Sequence, residues 1–453
     1  MKDFFSSNGA IISATAPGRM DVMGGIADYS GSLLLQMPIR QTTKINIQIR
    51  DDGVFLFRTQ IAKDKTEDFT IDLPVIKDRS LVEAGAIIKS VKGGDWAVYV
   101  LGCFLVLQKE KDISITGANV FIESKVPWGK GVSSSAALEV ATMNALNQLY
   151  NLSLGKEELA VLAQMAENLV AGAPCGLMDQ LSSHLGQKNK LLPLICQPHH
   201  VEKPITIPAG INFSGIDSGV RHAVSGASYA EVRAAAFMSY TMIAVHEGVA
   251  FEELSRARIS GDWMKLPYKG FLANIPVSVF EQKYISILPG EIVGRDFLDQ
   301  YKVSIDTVTA IDPEKRYRPA VCGSHPVYEN ARVNEFRTLL KNFRKQDDKQ
   351  SSLIQMGKLM MASHESYSAV GLGNEFTDKI VNMVRDAGPA NGVYGARVSG
   401  GGNGGTVCIL SYGKKGKSTV KEIYGRYKKE TKKRKLFLFN GSSHGAYKLN
   451  QYI

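Results

Sequence analysis

Three glycine-marked segments hold residue types that can do chemistry. From Lys125 to Ala141, KVPWGKGVSSSAALEVA sets a loop of small residues directly ahead of a helical pattern. Such a junction builds an anion site. Gly129 and Gly131 can take backbone angles that other residues avoid, and the free amides of the helix start, with the helix dipole, favour negative charge. Ser133, Ser134 and Ser135 add hydroxyls able to bind phosphate or a magnesium ion. A plain serine-capped helix would have the same local sequence. From Thr15 to Ile39, TAPGRMDVMGGIADYSGSLLLQMPI clusters Arg19, Asp21 and Asp28 among glycines between two apolar stretches. Charged loops of this kind serve function more often than packing, although a surface turn has a similar composition.

The third segment, GARVSGGGNGGTVCIL from Gly395 to Leu410, places Gly400, Gly402 and Gly405 at GxGxxG spacing. A dinucleotide site needs a helix after those glycines, whereas TVCIL is β-branched and reads as a strand. Two strands around a five-glycine turn, letting backbone approach a ligand or another loop, is the better expectation. Likewise GKKGKS at Gly413 is no phosphate loop, because Ser411 stands where GxxxxGK[ST] needs its first glycine.

The elements that must position these groups are legible in outline. KINIQI from Lys44 and GANVFIE from Gly117 read as strands, and GGDWAVYV, which contains Trp96 and Tyr99, reads as a half-buried strand. Ser134 to Tyr150 reads as a helix, with Leu138, Ala141, Ala145, Leu146 and Leu149 at helical spacing. A second helix is predicted over Lys156 to Val170, capped by Ser153, with Glu157 and Glu158 in its first turn. A proline-containing stretch from Gln197 to Pro208 leads into the strand INFSGIDSG, which places a domain boundary between residues 205 and 206. The second half then runs helix, irregular segment, helix, helix and strands, with no clean periodicity over residues 251–319 and no solenoid repeat.

Composition narrows the class. A chain of 453 residues exceeds what one core usually supports, so two domains, 1–205 and 206–453, are expected. Apolar residues at 44% and charged residues at 22% exclude a disordered chain. Lys and Arg outnumber Asp and Glu by 54 to 44, with much of the excess in GKKGKST and YKKETKKRKL near the end. The solvated face of a terminal helix explains that excess, and no aromatic interleaving or recognised module supports nucleic-acid binding. A modest positive field also suits an anionic cosubstrate. Five scattered cysteines without a CxxC pair argue against a disulfide framework or a zinc cluster and fit a reducing compartment. Neither a leader-like start nor a run of about 18 apolar residues occurs, so a cytoplasmic protein without membrane contact is expected. Oligomeric state is left open.

Taken in this order, the three segments resemble the GHMP kinase superfamily, with its N-terminal sugar-facing motif, phosphate loop and C-terminal glycine motif. APGR at Ala16, CGLMDQ at Cys175, DSGVRH at Asp217 and SGGGNGG at Ser399 resemble the galactokinase branch. DVMGGIADYSGSLLLQMPI, ICQP, GIDSGVRH, HPVYENARV at His325 and YSAVGLG at Tyr367 resemble the kinase domains of plant arabinokinases. The resemblance implies an α+β fold of two domains with the active site in the cleft between them, and ATP and Mg2+ as cofactors. It implies a small-molecule sugar as substrate. It assigns Asp179 as catalytic base or orienter of the attacking hydroxyl, and Arg19 as its partner and steadier of the transferring phosphoryl group. Ser134 and Glu167 match the magnesium ligands; Gly129, Gly131, Ser133, Ser134 and Ser135 match the phosphate loop; Trp96 and Tyr99 match an aromatic pair near the adenine.

On the sugar side the resemblance implies Gly25, Ile26, Asp28, Gly176 and Tyr229. Galactokinases carry GEHTDYN where this chain has GGIADYS, so their glutamate and histidine become Gly25 and Ile26 while the aspartate is kept as Asp28. In the family that lost pair lies toward the sugar's 6-hydroxyl. L-Arabinopyranose has the ring stereochemistry of D-galactose without the hydroxymethyl group, so loss of both partners matches loss of the group they bind. L-Arabinose 1-phosphate is therefore the expected product. The alternatives are a galactokinase acting on D-galactose with an enlarged pocket, and a non-catalytic galactokinase-like sugar sensor.

Overall fold

Alternating apolar residues in KINIQI have Ile45 and Ile47 fully buried against Phe55 and Phe57, as a sheet with one face on a core requires. The computed structural model describes residues 4–7, 9–62, 65–173, 175–197, 199–221 and 227–449. His222 of the DSGVRH motif and Pro198 of ICQP lie outside the described residues. By its contacts the chain forms two compact units, one of residues 1–19, 37–190 and 441–453, the other of 20–36 and 191–440.

In the first unit, β1 (Ile12–Met23) pairs antiparallel with the strand Tyr447–Leu449 through Ser13, Ala14 and Thr15. β2 (Leu33–Ile49) pairs antiparallel through Thr43–Ile49 with β5 (Ala118–Ser124), which runs parallel to β3 (Val54–Ala62); β3 forms a hairpin with β4 (Lys65–Asp72). The helices are α1 (Leu81–Ser90), α2 (Gly94–Lys111), α3 (Ser134–Leu149), α4 (Lys156–Met165) and α5 (Met178–Leu185). GGDWAVYV is therefore the start of α2 and not a strand. Its apolar run continues through LGCFLVL, too long for a typical strand, and the helix is buried nearly all round. Another correction concerns the predicted Ser153 cap. Ser153 lies in the left-handed region at φ 53°, Gly155 is the N-cap, and its N–H donates to Glu158 Oε2 at 3.0 Å. The predicted long helix changes character after Met165, continuing as a π-helical turn over Ala166–Val170.

The second unit contains a four-stranded antiparallel sheet in the order Val393–Ser399, Thr406–Tyr412, Ile211–Asp217, Leu438–Asn440. The glycine turn 400–405 links the first two of these strands, and no helix follows it directly. Leu33–Gln36 of β2 pair with Leu192–Ile195 in this unit. Helices Ala227–His246, Pro319–Asn342, Lys349–Ala369 and Glu375–Ala387 supply most of its core. Between residues 251 and 319 the pieces are too short to show a period, the helices Phe251–Ser260 and Gly294–Tyr301 among them. Part of the basic excess near the end lies on the helix Gly413–Thr431, with Lys414, Lys415, Lys417 and Lys421 exposed and Val420, Ile423 and Tyr427 buried, whereas Lys432, Lys433, Arg434 and Lys435 follow the helix end, so the expected helix face covers only the first part of the basic stretch.

Candidate active site

In the first unit, Arg19 on β1 meets Asp179 in the first turn of α5. Gly18 permits the approach: a Cβ there would lie 2.4 Å from Val132 O and 2.8 Å from Val126 Cγ1, so only glycine lets β1 run against the loop before α3. The Arg19 N–H donates to Val132 O at 3.0 Å, which registers strand and loop. The guanidinium then forks onto one carboxylate, Nε donating to Asp179 Oδ1 at 2.8 Å and Nη2 to Oδ2 at 3.0 Å, while Nη1 donates to Gly131 O at 2.8 Å. Arg19 is 4% exposed and the Asp179 side chain 19%, so the cation is enclosed and the carboxylate still reachable.

Ser133 is the N-cap of α3, at φ 55° in the left-handed region, but its side chain does not cap the helix. Its hydroxyl donates to Asp179 Oδ2 instead. The first amides of α3 are thus left without a side-chain cap, next to a loop whose Gly129 and Gly131 both have positive φ. Ser134 and Ser135 are half-buried.

Glu167 sits in the π-helical turn, a distortion that often accompanies function. It is buried, and burial raises its carboxyl above the usual range against the opposing pull of a hydrogen bond from Ser135. Gln180 Nε2 donates to Glu167 Oε2 at 2.6 Å and to Glu139 Oε2 at 3.0 Å, and Cys175 Sγ lies 3.3 Å from Glu167 Oε2. Glu139 is fully buried; burial and the charge of Glu167 push its carboxyl well up. Neither Glu139 nor Gln180 figured among the expected site residues. A signal was present, since Glu139 is the lone charge on α3, a helix apolar over most of its surface. Gly176 is half-buried in the turn ahead of α5.

Tyr99 and Trp96 lie on α2, both half-buried. Tyr99 packs edge-on against the exposed Trp128 of the loop at 5.8 Å, and burial followed by the charges of Glu167 and Glu139 raises its phenol. Trp96 instead packs on Phe69 at 6.4 Å, in the core under β4.

Among the described residues, no group of three or more His, Cys, Asp and Glu side chains is placed to hold a metal ion. A serine hydroxyl with a buried carboxylate is nevertheless a hard-oxygen pair of the kind that suits Mg2+, an ion that keeps several waters and takes phosphate oxygens as ligands.

In the second unit, Gly25, Ile26 and Asp28 lie on one 3-10 turn, Gly25–Ser30, which is buried throughout. Ile26 shares a core with Tyr29 and Tyr229, whose rings meet edge-on at 6.2 Å. Asp28 is 4% exposed and its Oδ1 accepts from the Tyr29 N–H at 2.8 Å. Arg233 stands beside this cluster, 5.7 Å from the Tyr29 ring, paired with Asp306 at 2.8 Å. Burial works against that guanidinium, and Asp306 overrides it.

A buried ionic knot holds the turn, and of its members only Asp21 stood out in the sequence. Arg397 Nη1 lies 2.5 Å from Asp21 Oδ2, and Arg397 Nε donates to Ser363 Oγ at 2.9 Å. Asp21 Oδ1 accepts from Gln36 Nε2 at 2.6 Å and from the Gly25 N–H at 3.2 Å, while the Gly24 N–H donates to Glu329 Oε1 at 3.2 Å. Asp21, Arg397 and Glu329 are fully buried.

Residues 98–187 match the GHMP kinases N terminal domain and residues 339–433 the GHMP kinases C terminal family. The chain is 36% identical to an L-arabinokinase of Arabidopsis thaliana over 96% of its own length, and it spans 46% of that relative, about half. It is 29% identical to a galactokinase of Haemophilus influenzae, with 96% and 94% of the two chains covered. The crystal structure of Lactococcus lactis galactokinase complexed with galactose superposes with a TM-score of 0.73 at 20% identity, covering 99% of this chain and 97% of that one. No helix among the described residues is long and apolar enough to cross a membrane. With both domains matched in order, the chain carries the N- and C-terminal domains of GHMP kinases on a two-domain galactokinase-like fold of helices and sheets.

Proposed function

We propose that this chain is an ATP-dependent sugar-1-kinase that phosphorylates the anomeric hydroxyl of L-arabinose to give L-arabinose 1-phosphate. The observation that carries the phosphoryl-transfer reading is the carboxylate of Asp179 fixed by Arg19 and Ser133 at the mouth of the phosphate loop. A carboxylate offers about four lone-pair sites. Three are taken here, one on Oδ1 and two on Oδ2, so Oδ1 keeps a site for a sugar hydroxyl. From there Asp179 can orient that hydroxyl and accept its proton. In a loose transition state charge gathers on the phosphoryl oxygens, and Arg19 stands one carboxylate away from that charge. The amides at the start of α3, with Gly129, Gly131, Ser133, Ser134 and Ser135, would hold the ATP phosphates, and Tyr99 and Trp96 the adenine side. Ser134 and Glu167 would hold Mg2+, which when bound screens phosphate charge.

Asp28, Tyr229, Gly25, Ile26 and Gly176 would face the sugar. A glycine and an isoleucine offer no side-chain partner to an exocyclic hydroxyl, which favours a pentose; the arabinokinase likeness supports the same choice. The galactokinase likenesses support D-galactose as the second reading. A sensor without turnover is less favoured, because Arg19, Asp179 and the SSSAA loop are all present.

The test is a coupled ADP-release assay with ATP and magnesium on L-arabinose, D-galactose and D-glucuronic acid, compared by kcat/KM. The expected outcome is a preference for L-arabinose of tenfold or more, roughly the discrimination one lost polar contact supplies. A preference for galactose would overturn the sugar assignment, and silence on every sugar would overturn the kinase.

A further inference from the structure

Position 25 is closed to any side chain by a residue far away in the sequence. Gly25 has φ +49°, and a Cβ there would lie 1.5 Å from Tyr367 Oη, 2.7 Å from Tyr367 Cζ and 2.8 Å from Arg397 Nη2. The phenol cannot swing aside. Tyr367 is fully buried on the helix Lys349–Ala369, with the His325 ring edge-on at 5.4 Å and the Arg397 guanidinium 5.1 Å from its ring centre. Its hydroxyl accepts from the Ile26 N–H at 2.8 Å and donates to Gly400 O at 2.8 Å. Tyr367 therefore fills the room of a side chain at 25 while its hydroxyl hydrogen is already spent on the protein backbone.

We propose that Tyr367 is a specificity-determining residue, which bars the galactokinase-type glutamate from position 25 and so keeps that part of the sugar-facing turn without an acidic partner. The consequence for sugar choice rests on the reading of this chain as a sugar kinase. Glycine at 25 is on this view one half of a pair. A glutamate at 25 and a tyrosine at 367 exclude one another, since a close-packed interior cannot hold both.

The test is a double-mutant cycle of Gly25→Glu and Tyr367→Leu, read by urea denaturation and by kcat/KM on L-arabinose and D-galactose. Gly25→Glu alone should lower the folding equilibrium constant by well over tenfold. Adding Tyr367→Leu should recover on the order of tenfold or more, a coupling that independent sites do not show. In the double variant the galactose-to-arabinose ratio should rise at least tenfold over wild type. If Gly25→Glu does not fold in either background, Gly25→Ala runs the same cycle with only the clashing atom added. A Gly25→Ala chain as stable as wild type, or additive effects in the cycle, would overturn the inference, and so would an unchanged sugar ratio in a folded double variant. A wild type that prefers galactose would sink the arabinose reading alone, because the stability coupling does not depend on which sugar is used.

Discussion

Replacing Asp179 by Asn keeps the shape of the side chain and removes what the site needs from it. Arg19 Nε can still donate to an amide oxygen in the place of Oδ1, but Arg19 Nη2 would then face an amide N–H in the place of Oδ2, donor against donor. One charge-assisted hydrogen bond is lost, and a cation 4% exposed loses its counter-charge. A hydrogen bond to a charged group contributes about 1.5–3 kcal/mol. The Asp179 side chain is 19% exposed and solvent screens part of that, so a loss of about 1–2 kcal/mol is expected. Turnover should suffer far more. Loss of a positioned base costs roughly 10²–10⁴ in rate, and on the proposed reading, in which α3 and its loop would hold the ATP phosphates, most of it should fall on kcat. The assay is steady-state ADP release over a grid of ATP and sugar concentrations, paired with urea denaturation. A variant whose kcat stays within threefold of wild type, or whose loss lies wholly in the KM for ATP, would refute the role given to Asp179.

Arg397→Met should leave Asp21 and Glu329 fully buried without their shared cation and destabilise the protein by about 3–5 kcal/mol in urea denaturation. A loss below about 1 kcal/mol would show that the knot contributes little. His325 is buried, and burial holds its imidazole down to about 4, with Glu329 pulling up and Arg332 and Arg397 pushing down. The unfolded chain binds that proton near pH 6.5, so stability from keeping the ring neutral is complete above pH 6.5 and is lost as pH falls toward 4, roughly 3 kcal/mol at most. His325→Gln should flatten this acid limb of the thermal midpoint against pH, and a variant with the wild-type slope would contradict it.

Much of the local architecture was legible before any coordinates. The loop and helix around Ser133–Ser135 were readable because glycine freedom, serine hydroxyls and an apolar stripe are all properties of neighbouring residues. GGDWAVYV misled for the complementary reason: eight residues with valines and aromatics satisfy a strand, and only the full apolar run to Leu107 selects a helix. Residues 251–319 gave no signal because their elements are shorter than the window a period needs. Glu139 lies among the apolar positions of α3, whose spacing marks a helix without marking a buried carboxylate within it. A single boundary near residue 205 reflects what a linear scan can see, whereas contacts assign Ile12–Arg19 and Met20–Met23 of one strand to different units.

By itself the sequence determined that a loop of glycines and serines opens α3, that the glycine turn at 400–405 joins two strands, and that the lysines from Lys414 to Lys421 lie on a solvated helix face, since each follows from spacing along a few turns of chain. Only the tertiary structure decided which partners these groups have. The guanidinium of Arg19 lies 160 residues from the carboxylate it grips, and Tyr367 lies 341 residues from the Ile26 amide it accepts from. Spacing in sequence holds no information about such pairs, because a packed interior brings residues together by shape and charge at distances the local chain does not set.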